Sequence, residues 1–186
     1  MAAESPALLV LADESHFYNH SETYNVLPHI VDLEKPFVDQ LSEVNDRIET
    51  SLRMGREVVL LGMKDTGILA VAALVKQPQV SEVVTLWSAF RDGVTPFERE
   101  GIRWLNKYSD SLTAPLKSKI TTVYTHNGFS GFQSKLRGVK VAKVRYNDAD
   151  VKTWRDGFDR LMEEPLNVYF KKRYSILQNF PHRHPK

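Results

Sequence analysis

The stretch that decides the fold runs from residue 58 to residue 75 and reads VVLLGMKDTGILAVAALV. Two apolar runs, 58–63 and 68–75, flank the polar connection at 64–67. A four-residue connection that contains Asp and Gly, set between two β-type runs, is typical of a hairpin. Neither run alternates apolar with polar residues, which predicts strands that are covered by helices on both faces.

Two amphipathic helices border this stretch. Apolar residues recur at positions 37, 41, 44, 48 and 52, which is one face of a helix that ends near Gly55. Thr95 and Glu98 form a capping box around a proline, which predicts that a second helix begins there. We expect Gly101 to lie on the buried face of the second helix, where its missing side chain lets the backbone approach the sheet.

Further β-type runs lie at residues 8–12, 83–90, 119–125 and 139–146, and a short helix is expected at 130–136. Together with the hairpin, these runs predict a mixed central sheet of about six strands flanked by helices. The fold class is therefore α/β. The length fits one ordinary domain, which we place at residues 1–146.

Residues 147–186 form a C-terminal appendage in this interpretation, with one helical face followed by a basic tail. Its mixture of aromatic and basic residues suits docking onto the body of the protein or self-association with a second copy. The alternative is stacking on nucleic-acid bases. A net charge of +2 does not favour nucleic acid as a partner.

Composition excludes several classes of protein. The sequence has no cysteine, which excludes disulfide scaffolds, thiolate zinc sites and cysteine nucleophiles. His16 and His20 have the spacing of two metal ligands on a helix, but no third ligand accompanies them, so no metal site is predicted. The longest apolar run is the size of a strand, and the first residues lack the pattern of a signal peptide. We therefore expect a cytoplasmic protein with no membrane contact.

The order of these elements resembles the GNAT superfamily of N-acetyltransferases, in which a three-strand meander precedes the half of the sheet that holds acyl-CoA. Residues 9–13 and 20–24 are similar to the opening of many such proteins, including ones encoded by bacteriophages. Asn127 and Gly138, eleven residues apart, are similar to a family segment that ends in Gly-Phe. The resemblance covers about residues 8–146. It implies acetyl-CoA as the cofactor.

The same resemblance implies a cofactor-binding set, which comprises Phe90, Arg91, Gly93, Thr95 and Asn127. Four of these residues lie in or beside the stretch 91–96, which corresponds to the phosphate-binding loop of the family, Arg/Gln-x-x-Gly-x-Gly/Ala. The stretch departs from that pattern because it has one glycine and because its proline removes an N–H donor. It is therefore a degenerate or rebuilt loop.

Three residues carry the catalytic roles that the resemblance implies. Glu82 or His126 would act as the general base that deprotonates the attacking amine. Ser134 occupies the position at which many members carry a tyrosine that protonates the leaving thiolate. The plainer alternatives are a solvated carboxylate at Glu82 and a structural hydrogen bond at His126.

Two hypotheses of function follow from the resemblance. In the first, the chain is an acyl-CoA-dependent N-acetyltransferase whose acceptor is an amine of a small molecule or a protein. In the second, it is a catalytically degenerate member of the same fold that binds a partner or serves as a structural protein, such as a component of a phage virion. The sequence favours the enzyme slightly, and the degenerate loop leaves the activity uncertain.

Overall fold

The computed structural model describes residues 7–12, 25–125 and 136–144. Within them, an α/β fold is built from six strands and four helices. The elements in chain order are β1 (Ala7–Ala12), β2 (Asn25–Ile30), α1 (Phe37–Arg53), β3 (Val58–Met63), α2 (Gly67–Lys76), β4 (Glu82–Leu86), α3 (Pro96–Lys107), α4 (Ala114–Lys117), β5 (Ile120–Thr125) and β6 (Lys140–Val144).

The six strands form one sheet in the order β2-β1-β3-β4-β5-β6, and every neighbouring pair is parallel. The predicted α/β class and the number of strands are confirmed. The mixed, GNAT-like sheet is wrong, because a meander needs antiparallel neighbours and every pair described here is parallel. Parallel neighbours need crossover connections, and helices α1, α2 and α3 lie in the connections from β2 to β3, β3 to β4 and β4 to β5.

The predicted hairpin at 58–75 is the central error. Residues 58–63 are strand β3, but 68–75 lie in helix α2, which follows a short 3-10 turn at Lys64–Thr66. The residues of α2 from Gly67 to Leu74 are all buried, so the helix shows no polar face that would reveal its period. A helix that is apolar all round cannot be told from a buried strand by pattern alone.

The other strand predictions are confirmed with changed ends. The run at 83–90 is a strand only as far as Leu86, because Trp87 takes a backbone conformation with φ 53° that ends it. The run at 8–12 lies within β1, and the runs at 119–125 and 139–146 contain β5 and β6. Strand β2 was not predicted. The short helix at 130–136 falls almost wholly outside the described residues, and the appendage at 147–186 falls entirely outside them.

The two predicted helices are confirmed. Helix α1 begins at Phe37 and is followed by Gly55 at φ 73°, and it buries the predicted apolar face. Helix α3 has the predicted capping box, in which the Thr95 hydroxyl accepts a hydrogen bond from the Glu98 N–H. The close approach at Gly101 is made to other helices rather than to the sheet. A Cβ there would lie 2.7 Å from Phe37 Cε2 and 2.9 Å from Ile68 Cγ2.

Both faces of the sheet are buried. One face packs against α1, α2 and α3 through residues such as Leu9, Leu60 and Val83, and the opposite face buries Val10 and Leu61. Burial on both faces explains why the strands are apolar throughout and do not alternate.

Strand β2 lies at one end of the described sheet and carries a proline at its centre. Pro28 is in register with Val10 of β1, and its carbonyl accepts a hydrogen bond from Arg47 of helix α1. A proline is tolerated in an outer strand where its missing N–H faces away from the neighbouring strand.

The described helices do not have the dimensions and hydropathy of membrane-spanning segments. None of those in residues 7–12, 25–125 and 136–144 combines the length and the apolar character that crossing a membrane requires.

Candidate functional site

The path of the chain through the sheet creates one natural crevice. Strand β1 connects outward to β2, whereas β3, the other neighbour of β1, connects in the opposite direction to β4. In open parallel sheets, ligands bind outside the carboxyl ends of the strands at the point where the winding direction reverses. Here that point lies between Ala12, the last residue of β1, and Met63, the last residue of β3.

Lys64 follows Met63 directly and stands at this crevice in an unusual backbone conformation. Its φ is 50°, which is the left-handed region that non-glycine residues rarely occupy. The side chain is half-buried. A left-handed residue costs about 1–2 kcal/mol, and such residues cluster at ligand-binding and active sites.

The turn is fixed by the hydroxyl of Thr66, which is almost fully buried. That oxygen accepts a hydrogen bond from the Met63 N–H at 2.9 Å and lies 2.6 Å from the Leu11 carbonyl oxygen, to which it donates. The turn after β3 is thus tied to the end of β1. A hydroxyl that joins the two strands on either side of the crevice sets the position of Lys64 relative to both.

Two glycines let the strand, the turn and the helix lie very close together. A Cβ on Gly62 would lie 2.7 Å from the Gly67 Cα and the Thr66 carbonyl oxygen. A Cβ on Gly67 would lie 1.8 Å from Ser88 Oγ, on the chain just after β4. Any side chain at these two positions would push the turn away from the sheet, because real Cβ atoms do not approach other atoms so closely.

The neighbouring strand ends in the same way. Met63 and Leu86 are paired in register, so Lys64 and Trp87 are the next residues of two adjacent strands. Trp87 also has positive φ, at 53°, and its side chain is buried. Two bulky residues in left-handed conformations therefore stand side by side at the carboxyl edge.

The beginning of helix α3 closes one side of this region. The Thr95 hydroxyl lies 3.4 Å from Asp65 Oδ1, which joins the helix start to the turn after β3. The Glu98 carboxylate accepts hydrogen bonds from the Val94 N–H at 2.7 Å and the Thr95 N–H at 3.2 Å. These two N–H groups, which lie in the predicted phosphate loop, are therefore already bonded within the protein.

The predicted site residues do not all converge on this edge. Glu82 is the first residue of β4, so it lies at the amino edge of the sheet, and it is buried. Thr95 caps α3, and Gly93 packs closely against it, since a Cβ there would lie 2.8 Å from the Arg99 nitrogen. Phe90 and Arg91 line a separate cavity beside the other end of α3.

Three predicted residues, His126, Asn127 and Ser134, lie outside the described residues. The roles assigned to all eight predicted site residues stay predictions, as does acetyl-CoA binding.

The sequence pattern does not single out Lys64, because the residue falls in the loop of the predicted hairpin. The signal available was the set of small residues around it, Gly62, Thr66 and Gly67. Small residues on both sides of a central residue are what a tight turn between a strand and a helix requires.

A second polar group is buried away from the crevice, at the carboxyl end of β2. His29 is buried, and its Nε2 has no hydrogen-bond partner among the residues that the structure describes. Burial lowers the pKa of His29 below its ordinary value of 6.5, and the nearby positive charge of Arg47 lowers it further. Folding therefore favours the neutral form of His29 over the charged form, although the carboxylate of Glu43 opposes this shift of the pKa.

Comparison with known proteins gives structural likenesses only. No protein-family model matches the chain, and no curated protein matches it. An α/β hydrolase from the metagenome of lagoon sediments at Mar Chica, Morocco, is 14% identical, with 92% of this chain and 93% of that chain covered and a TM-score of 0.47. The thioesterase domain of NocB from the nocardicin cluster is 11% identical, with 84% and 90% covered and a TM-score of 0.45. The N-acyl homoserine lactonase AidH is 11% identical, with 98% and 93% covered and a TM-score of 0.44.

The topology of the sheet corrects the interpretation drawn from the sequence. The similar structures are a hydrolase, a thioesterase and a lactonase rather than GNAT acetyltransferases. The all-parallel sheet independently excludes the meander on which the resemblance rested. The resemblance is therefore wrong, and so is the predicted N-acetyltransferase activity. The alternative, a degenerate protein of that same fold, has no support either.

Proposed function

We propose that this chain binds a small molecule through a carboxylate or phosphate group at the carboxyl edge of its sheet, and that the Lys64 ammonium is the anchor for that group. The observation that carries the proposal is the left-handed conformation of Lys64 at the point where the winding of the sheet reverses. The fold holds a cation in a strained conformation at the place where open parallel sheets bind ligands.

The form of the turn favours binding over ester hydrolysis. A strand, a sharp turn with a strained central residue and a helix make up the elbow on which α/β hydrolases present their nucleophilic serine. In this chain the strand β3, the turn and helix α2 have that form, and Lys64 occupies the central position. A lysine there supplies a positive charge and no hydroxyl nucleophile, so the serine mechanism is absent from this turn.

Local electrostatics also favour an anion. The turn leads directly into the amino end of helix α2, where the helix dipole is positive and adds to the charge of Lys64. Asp65 opposes this effect, but its carboxylate accepts a hydrogen bond from the Thr95 hydroxyl. We therefore expect Asp65→Asn to strengthen the binding of an anion and Lys64→Met to weaken it.

The test is a set of thermal shift and calorimetric titrations with hexanoate, phenyl phosphate and the neutral analogue hexanamide. Lys64→Met keeps the length of the side chain and removes its charge. Lys107→Met is the matched control, because Lys107 lies at the end of α3 with its Nζ 5.6 Å from the centre of the Tyr108 ring. We expect one of the two anions to bind, hexanamide not to bind, and the affinity to fall about tenfold or more in Lys64→Met alone.

Two results would contradict the proposal. One is binding of an anion with equal affinity in the wild-type protein and in Lys64→Met. The other is hydrolysis of p-nitrophenyl butyrate that is abolished by Lys64→Met, since that result would assign the turn to catalysis.

A further inference from the structure

A cavity of about 240 Å³ lies beside the carboxyl end of helix α3, far from the turn that holds Lys64. Thr95, at the start of α3, contacts Asp65 of that turn, whereas the cavity wall includes Leu105 and Leu112. Ten helical residues span about 15 Å, so the cavity and the turn are separate sites.

The inner wall of the cavity is apolar. Phe90, Leu105 and Leu112 all line it, and each is buried in the protein core, with 6–8% of its surface exposed. Leu136, on the segment before β6, closes another side. A ligand that fills this space would therefore meet hydrocarbon over most of one side.

Two cations stand at the opening. Lys117 of helix α4 and Arg137 both line the cavity. The two cations lie near each other because Gly138, the residue after Arg137, lies beside the stem of Lys117. A Cβ added to Gly138 would lie 3.4 Å from Lys117 Cδ. Gly138 has φ 81°, which sets the turn that carries Arg137.

These two cations are not neutralised by any group in the described part of the chain. Among the described residues, neither the Lys117 nor the Arg137 side chain forms an ion pair or hydrogen bond, and no Asp or Glu of that part of the chain lines the cavity. Arg91 also lines it but is already engaged in an interaction of its own. Exposed polar groups of Asn106 and Ser109 complete the rim.

We propose that this cavity binds a small amphipathic anion, with its hydrocarbon part against Phe90, Leu105 and Leu112 and its carboxylate between Lys117 and Arg137. Ligand pockets combine an apolar wall with a few polar groups that fix orientation in this way. The small volume limits the ligand to a medium-chain or aromatic monocarboxylate. An isolated anion without hydrocarbon would gain only exposed ion pairs, which are weak in water.

The experiment is calorimetric titration of the full chain with octanoate, and with octanamide and acetate as matched probes. Octanamide keeps the hydrocarbon and removes the charge, whereas acetate keeps the charge and removes the hydrocarbon. We expect octanoate to bind and both other probes to bind at least about tenfold more weakly. Equal binding of octanamide, or no binding of octanoate, would overturn the proposal.

Variants locate the site. The double substitution Lys117→Gln/Arg137→Gln changes exposed or half-exposed side chains, so we expect it to fold normally. It should weaken octanoate binding about tenfold or more. Asn106→Trp, at an exposed rim position, should block the opening and give a similar loss. Lys107→Gln, at a residue that does not line the cavity, should leave octanoate binding unchanged.

The outcomes separate this site from the site proposed at Lys64. Loss of octanoate binding in Lys64→Met, with full binding in Lys117→Gln/Arg137→Gln, would refute the cavity and assign the ligand to the edge of the sheet. The reverse pattern supports the cavity, whether or not Lys64 binds an anion.

Discussion

Replacing Gly67 by alanine should destabilise the protein through one identifiable clash. The new Cβ would lie 1.8 Å from Ser88 Oγ and 2.4 Å from Ser88 Cβ, so the turn after β3 and the chain after β4 cannot both keep their positions. Overpacking of a buried site costs about 1–3 kcal/mol, and the extent of this overlap places the cost near the upper limit. For a chain of this length, a loss of about 3 kcal/mol lowers the midpoint of thermal unfolding by about 6–12 °C.

The clash can be removed by a second substitution. In a Ser88→Gly background, the nearest remaining atom to the new Cβ is Thr85 Cβ at 3.6 Å, which is ordinary contact. Ser88→Gly has its own cost, because Ser88 is buried and donates a 3.3 Å hydrogen bond to the Leu86 carbonyl oxygen. Adding Gly67→Ala to that background should cost almost nothing further, so the two substitutions should be strongly non-additive.

The assay is a double-mutant cycle, with the free energy of unfolding measured by urea denaturation and followed by circular dichroism. Gly55→Ala provides the control, because Gly55 has φ 73° but nothing within 4 Å of an added Cβ. Its cost is backbone strain, so it should add independently to that of Ser88→Gly. If Gly67→Ala destabilises the wild-type protein and the Ser88→Gly variant equally, the contact with Ser88 is not the reason that position 67 requires glycine.

Three further predictions concern the same region and the buried histidine. Lys64→Gly should relieve the left-handed conformation and leave stability unchanged or raised by up to about 1 kcal/mol, despite loss of the ligand anchor; a clear loss of stability in thermal melts would contradict the strain. Thr66→Val should cost about 1–3 kcal/mol in urea denaturation, because it leaves the Met63 N–H and the Leu11 carbonyl without a buried partner. Because the folded protein holds the pKa of His29 below 6.5, the unfolded chain binds more protons, and stability should fall as the pH drops below about 6.5. His29→Leu should flatten that dependence, and an unchanged profile would show that other groups cause it.

The sequence predicts the boundaries that rest on local chemistry. The capping box at Thr95 and Glu98 is a bonding pattern within four residues, so the start of α3 follows from the sequence alone. Helix α1 has one buried and one exposed face, so its apolar period is visible between Phe37 and Leu52. Local capping and a solvent-exposed face are the two features that sequence patterns report well.

The secondary-structure predictions are wrong where the sequence shows no contrast between a buried and an exposed face of the segment. Helix α2 is buried all round, and its alanines at 70, 72 and 73 were a helix signal of moderate strength that the apolar run concealed. Strand β2 was missed because Pro28 and His29 interrupt its apolar character. One false strand and one missed strand cancelled, so the predicted count of six agreed with the structure although the topology did not.

The site depends on information that a linear pattern does not contain. The crevice lies between Ala12 and Met63 because their strands, β1 and β3, are neighbours in the sheet. Which strands become neighbours is set by packing across the whole sheet, not by the local sequence. The positive φ of Lys64 follows from the tight passage between Gly62 and Gly67, which is visible in the sequence only once α2 is recognised as a helix.

The proline in β2 affects whether a strand of another copy of the protein can pair with this outer strand. An exposed strand at the end of a sheet invites another chain to add to it, which leads to aggregation. Pro28 has no N–H to offer, and its carbonyl is already bonded to Arg47, so a strand arriving along β2 would find both groups of the central residue unavailable. The β2 end of the described sheet therefore discourages growth by strand addition.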